Sequence, residues 1–226
     1  VRTVFLTAGD DGQGPQYWQG RLHGIRAAYA RMAGVGDWWN DLDPGLSGVT
    51  GLTLAGAPHV SLAFFKLPDG GTGTGFGLYG HASLPRLWRG EQATITAVDG
   101  SATYSRARLL TGLGRIISTF GPDVIRTQDF LGRFGDGDHN DHHAAAYLTR
   151  EASRAYSGRH RLVAYQDYAT SHRPANVDAS RLSAKIAAFE LYSRNDLEVF
   201  TRRSAAAGYK PGFDAWLHRQ YVLAVE

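Results

Sequence analysis

The chain has 226 residues, which suits one domain with a full core. Its 43% hydrophobic and 12% aromatic residues are ordinary for a globular protein, and 24 basic against 21 acidic residues leave a net charge of +3. No Lys/Arg block stands out, which argues against a nucleic-acid partner; the lack of cysteine excludes disulfides and thiolate metal sites; no apolar run is long enough to span a membrane.

In chain order, residues 2–7 (RTVFLT) alternate apolar and polar and predict a strand, followed by the Gly-rich loop AGDDGQGP. Residues 17–33 place Trp18, Leu22, Ile25, Tyr29 and Met32 on one helical face, and Gly34 stops the helix. WWNDLDPGLSG reads as a loop. Residues 51–56 and 59–67 read as a hairpin-like pair of strands. Residues 68–90 are irregular, with a short helix near Leu84–Trp88, and 93–99 (ATITAVD) predicts a strand. Ser105 is placed to cap a helix running to about Phe120, with Leu109, Leu113, Ile116, Ile117 and Phe120 inward. Strands are expected at 123–129 and 161–169, with a helix from about Asp141 to Tyr156 between them. Asp178 starts a long helix to about residue 206, and PGFDAWLHRQYVL reads as a terminal helix. Strand and helix alternate, so the expectation is a single α/β domain over 1–226 with a largely parallel, Rossmann-like sheet flanked by helices.

In open α/β sheets, ligands bind beyond the carboxyl ends of the strands. Two loops qualify, AGDDG after the first strand and GDGDHNDHH (135–143) before the helix at 141. The second holds three histidines and three aspartates between Asp136 and His143. His139 and His142 are three apart at a helix start, a spacing that can aim both imidazoles at one cavity, with Asp141 between them as an orienting carboxylate. Calcium is excluded by counting. Asp136, Asp138 and Asn140 fit positions 1, 3 and 5 of an EF-hand, but Asp141 stands where Gly is needed and Tyr147 where Glu is needed. An acidic turn capping a helix, with solvated histidines, remains as the alternative to a metal site. Asp10, at a strand's carboxyl end, is a candidate contact for substrate hydroxyls. GGTGTGFG (70–77) lacks the GK[ST] ending of a P-loop and reads as a rim loop. Trp38 and Trp39 could stack on a sugar or simply pack, and Arg126 and Arg133 flank the cluster.

His139-Asn140-Asp141-His142 and the Ala-rich helix after it resemble the H-x-D-H motif of the LmbE-like zinc N-deacetylases, the GlcNAc-phosphatidylinositol de-N-acetylase family. VRTVFLTAGDDG is similar to the family's second strand and its Gly-acid loop, RLHGIRAAYARMAGV to the following helix, and FGPDVIRTQD to the strand ahead of H-x-D-H; LPRLWRG also has a counterpart in some members. The resemblance covers most of residues 1–170.

It implies an LmbE-like deacetylase fold with Zn2+ as cofactor, His142 as a metal ligand, His139 as the group that polarises the amide or stabilises the oxyanion, and Asp141 as the residue that orients His139. It implies metal-assisted hydrolysis of the N-acetyl group of an amino sugar or its conjugate. The remaining ligands and the general base belong to the family's A-H-P-D-D-E motif, which this chain lacks. Asp10-Asp11 is no substitute, since Ala8 would replace the ligand His and Gly12 the Glu. The first strand and its motif are therefore expected upstream of Val1. Asn140 replaces the usual Pro, and Leu22 stands where related helices often carry Glu. The alternative is a catalytically silent member or a sugar-binding module with an incomplete metal site.

Overall fold

The computed structural model describes residues 1–200 and 208–226. β1 (Arg2–Thr7) pairs in parallel with β4 (Ser61–Leu67), Val4 opposite Ala63. β3 (Thr50–Leu54) runs antiparallel to β4, and β2 (Trp39–Leu42) antiparallel to β3, giving the order β1-β4-β3-β2. β5 (Ile95–Thr96) and β6 (Thr103–Tyr104) form a small antiparallel ribbon. β7 (Val124–Thr127) pairs in parallel with β8 (Arg161–Tyr165), and β9 (Val222–Val225) closes this third sheet antiparallel to β8. The fold is thus mixed α/β with three small sheets. Parallel pairing among the described residues is confined to β1/β4 and β7/β8. The tight return between β3 and β4 forces antiparallel pairing, because a parallel partner needs a long crossover.

Side-chain alternation on β1 and β4 explains why helices cover both faces. Val4 and Leu6 join Ala63, Phe65 and Leu67 in the largest apolar cluster, together with Leu84 of α2 (Leu84–Arg89), Leu109, Leu113 and Ile116 of α3 (Arg106–Phe120), and Ala144 and Leu148 of α4 (Asn140–Arg154). Phe5 points the other way. It stacks on Phe64 at 5.1 Å and meets Tyr29 of α1 (Pro15–Ala33) edge-on, while Tyr29 donates its hydroxyl hydrogen to Thr3. Ile125, Leu162 and Ala164 form a separate core with Ala146, so α4 spans both parallel pairs.

Several boundaries follow from local chemistry. Gly34 ends α1 in the left-handed conformation, and Ser105 caps α3 by accepting from the Arg108 amide. The strand expected at 93–99 shrinks to Ile95–Thr96 because Asp99 and Gly100 turn the chain back, Asp99 accepting from the Ser101 amide. WNDL (39–42), read as part of a loop, is the edge strand β2, and the terminal helix is replaced by the four-residue α6 (Asp214–Leu217) and β9. Met32 and Phe120, expected inside, are 60% and 41% exposed at the last turns of their helices. α5 (Ala179–Ser193) is capped by Asp178 but stops well short of 206; positions 201–206 of that expected helix lie outside the described residues.

α5 is locked to α1 by one buried carboxylate. Asp196, fully buried, accepts from Tyr17 at 3.3 Å, Arg21 Nε at 2.9 Å, Tyr192 at 2.6 Å and the Glu198 amide at 3.0 Å. Asp196→Ala would leave the Arg21 guanidinium facing two phenols with no counter-charge. The expected loss of unfolding free energy is about 3–5 kcal/mol, read by urea denaturation; a loss within about 0.5 kcal/mol, the size of an ordinary surface substitution, would show that the network is not what joins the two helices.

Candidate metal centre

Each strand of the two parallel pairs is followed within three residues by an aspartate: Asp10 after β1, Asp69 after β4, Asp129 after β7 and Asp167 after β8. All four loops meet at the N-terminus of α4. Asp10 Oδ1 accepts from the Asp69 amide at 2.7 Å and its Oδ2 from the Gly12 amide at 3.0 Å. Asp141 Oδ2 accepts from the Gly70 amide at 2.8 Å. His143 Nδ1 donates to the Asp129 carbonyl at 3.0 Å, and Asp167 Oδ2 lies 3.2 Å from His142 Nδ1.

The three neighbouring histidines hold different positions. His139 is the N-cap of α4, and its Nδ1 accepts from the Asp141 amide at 3.2 Å. That contact makes Nδ1 the lone-pair nitrogen and leaves the hydrogen on Nε2, which lies 3.5 Å from Asp69 Oδ1. Burial holds the His139 pKa below the usual histidine value, with Asp69 pulling the other way and the neighbouring His142 adding to the depression. His142 Nδ1 sits 2.9 Å from Asp138 Oδ1 and 3.2 Å from Asp167 Oδ2, and Nε2 makes no hydrogen bond among the described residues. Burial opposes a charge on His142, but Asp138 and Asp167 outweigh it and raise its pKa. His143, fully buried, also reaches Asp136 Oδ1 through Nε2 at 2.9 Å. With both nitrogens donating it is the cationic form, and its raised pKa agrees, the Asp129 carbonyl and Asp136 overcoming burial. His143 therefore ties the 129–136 loop to α4.

Two sets of side chains can hold a metal ion, Asp69–His139–Asp141 and Asp138–His142–Asp167; within each, one donor atom per residue lies within 4.8 Å of the others. The sets adjoin, the His139 and His142 rings being 5.3 Å apart. Beside them opens a cleft of about 520 Å³, bordered by Asp138, His139 and Asn140, by the loop from Gly70 to Phe76, and by Asp11 and Tyr168.

His139, Asp141 and His142 stand together at the start of α4, but His139 and Asp141 belong to one donor set and His142 to the other, and of the three His139 alone borders the cleft. The Asp141 carboxylate is 3.8 Å from His139 Nδ1, and the contact that orients the ring comes from the Asp141 backbone amide. Asp10 is fully buried and gives both oxygens to backbone amides, so it ties the β1 loop to the β4 loop; its neighbour Asp11 borders the cleft. Arg126 and Arg133 are exposed and do not border it, and Trp38 and Trp39 lie at the β2 end of the first sheet. Asp69, Asp167 and Tyr168 were not singled out from the sequence. The rule that located Asp10 applies equally to Asp69 and Asp167, once β4 and β8 are known to run parallel to their neighbours.

Asp141 is the most strongly shifted carboxyl group of the cluster. Burial, then the nearby Asp69 charge, push its pKa to about 7 against the pull of the Gly70 amide, and Oδ1 has no hydrogen-bond partner. Between the ordinary carboxylate value and about 7, the folded chain holds a proton that the unfolded chain has released. Stability therefore falls as pH rises through that window. Asp141→Asn cannot ionise, so in metal-free protein its stability relative to wild type should climb from pH 4 to pH 7 by at most about 1.4 kcal/mol per unit. Denaturation curves across that range would show parallel profiles if Asp141 titrated normally.

Comparison of the chain with protein-family models, curated proteins and solved structures finds no match.

Proposed function

We propose that this chain carries part of a zinc-dependent hydrolase that removes the N-acetyl group from an amino sugar or its conjugate. The observation that carries the reading is His142, held on Nδ1 by two carboxylates with Nε2 left as a donor, the arrangement in which ligand histidines are fixed in tautomer and direction. The donor set fits zinc, since imidazole and carboxylate without thiolate suit a catalytic rather than a structural site. Zinc bound by His142 and further ligands would polarise the amide carbonyl and acidify water.

The described side chains have their own tasks. His139 is kept neutral by burial and fixed by the Asp141 amide, so it presents Nε2–H as a donor to the carbonyl oxygen on which negative charge develops. Asp138 and Asp167 hold the His142 ring. Asp141 fastens the start of α4 to Gly70 and so to the cleft wall.

A catalytic zinc needs three protein ligands. We propose that the other two, and the base that takes the water proton, come from chain preceding Val1. The sheets support this: among the described residues β1 and β7 each have a strand partner on one side alone, and both parallel pairs point their carboxyl ends at the same cluster. One further strand between them would make a single Rossmann-like sheet.

The test uses the protein encoded by the intact gene, assayed for zinc content and for acetate release from methyl N-acetyl-β-glucosaminide. Zinc retention and acetate release are expected. His142→Ala should abolish both, and Asp138→Asn should weaken zinc binding by about 10–100-fold. Sugar binding without acetate release at any zinc level would favour the silent, sugar-binding alternative.

A further inference from the structure

Tyr168 has a use that the metal chemistry does not absorb. It follows Asp167 directly, so the carboxylate that holds His142 and the ring that borders the cleft are adjacent in the chain. The ring is held from two sides, by His142 edge-on at 5.1 Å and by Trp216 at 5.7 Å, and Trp216 Nε1 donates to the Tyr168 carbonyl at 3.0 Å. Yet Tyr168 is 44% exposed, although aromatic rings gain most by burial. A ring fixed in place and left open at a cleft beside a candidate metal ligand is a platform for a flat, partly apolar face.

Asp11 supplies a complementary feature. It borders the same cleft, and its side chain makes no hydrogen bond among the described residues. It adopts the left-handed conformation, with φ 48°, between Gly9 and Gly12 at φ 62° and 68°. That conformation costs a non-glycine residue energy and persists where surrounding structure enforces it. Here Arg21 enforces it by donating to the Gly9 carbonyl at 2.6 Å, and Asp10 by holding the Gly12 amide. No Lys or Arg among the described residues borders the cleft, whereas Asp11 and Asp138 do. At the end formed by Asp11 and Tyr168, which belong to neither donor set, the lining therefore disfavours an anion.

We infer that the cleft takes an uncharged hydroxylated ring, stacked on Tyr168 and held through its hydroxyl groups by Asp11, so that these two side chains set substrate specificity. The inference rests on the amino-sugar reading above and narrows it to sugars without phosphate or carboxylate on the bound ring.

Titration calorimetry of the intact protein with methyl N-acetyl-β-glucosaminide and with N-acetylglucosamine 6-phosphate tests it. The neutral glycoside should bind about tenfold tighter or better, the size of one unfavourable charge contact. Tyr168→Ala should weaken the glycoside by about tenfold with zinc content unchanged, as expected for loss of one stacked ring, and Tyr168→Phe should restore it. Asp11→Asn should narrow the preference over the phosphate ester. Equal or tighter binding of the phosphate ester, no glycoside binding by wild type, or undiminished binding by Tyr168→Ala would each overturn the inference. Binding without acetate release would sink the hydrolase reading alone; acetate release with an unchanged KM in Tyr168→Ala would sink this one alone.

Discussion

A carboxylate inside a protein must be met by donors or a positive charge, or it takes up a proton. Four strands of this molecule are followed by aspartates in the loops around the start of α4, where further acids lie, and much of the local structure follows from compensating these carboxylates. Asp10 is compensated by two backbone amides, which fixes the β1 loop to the β4 loop. Asp138 and Asp167 are compensated by His142, and Asp136 by His143, which fixes the long loop before α4. Burial still raises the pKa of Asp10 and of Asp167, and that of Asp141, which receives one amide and nothing more, is pushed up to about 7.

The same logic gives three neighbouring histidines different partners at the start of α4. His139 borders the cleft and receives a backbone N–H, so it stays neutral. His142 faces two acids through one nitrogen. His143 donates through both nitrogens and is the cation. The distinction comes from direction. His142 turns to Asp138 and Asp167, and His143, one residue further round the helix, turns to the Asp129–Asp136 loop.

How much of this could be read in the sequence divides along physical lines. Elements set by local periodicity and caps, such as β1, α1 with Gly34 and α3 with Ser105, were legible to within two residues. So was the grouping of His139, Asp141 and His142, because it needs only one helix start. The hairpin of β3 and β4 was legible as well, but the edge strand β2 and the closing strand β9 were not, since they depend on pairing with chain remote in sequence. The separate jobs of Asp10 and Asp11 were also hidden. Two adjacent acids look alike in sequence, and only the fold buries one and leaves the other beside the cleft. Tyr168 was masked because its position depends on Trp216, 48 residues further along.

The crowding around the centre also bears on how the chain can vary. A Cβ on Gly70 would lie 2.6 Å from Asp141 Oδ1, and one on Gly73 2.6 Å from Asn140 Nδ2. The glycine-rich loop is thus moulded against the first residues of α4, and its composition answers to them rather than to solvent. A larger residue could enter position 70 only alongside a smaller one at 141, while position 73, at φ 104°, is held to glycine by its backbone as well, so loop and helix constrain one another over evolutionary time.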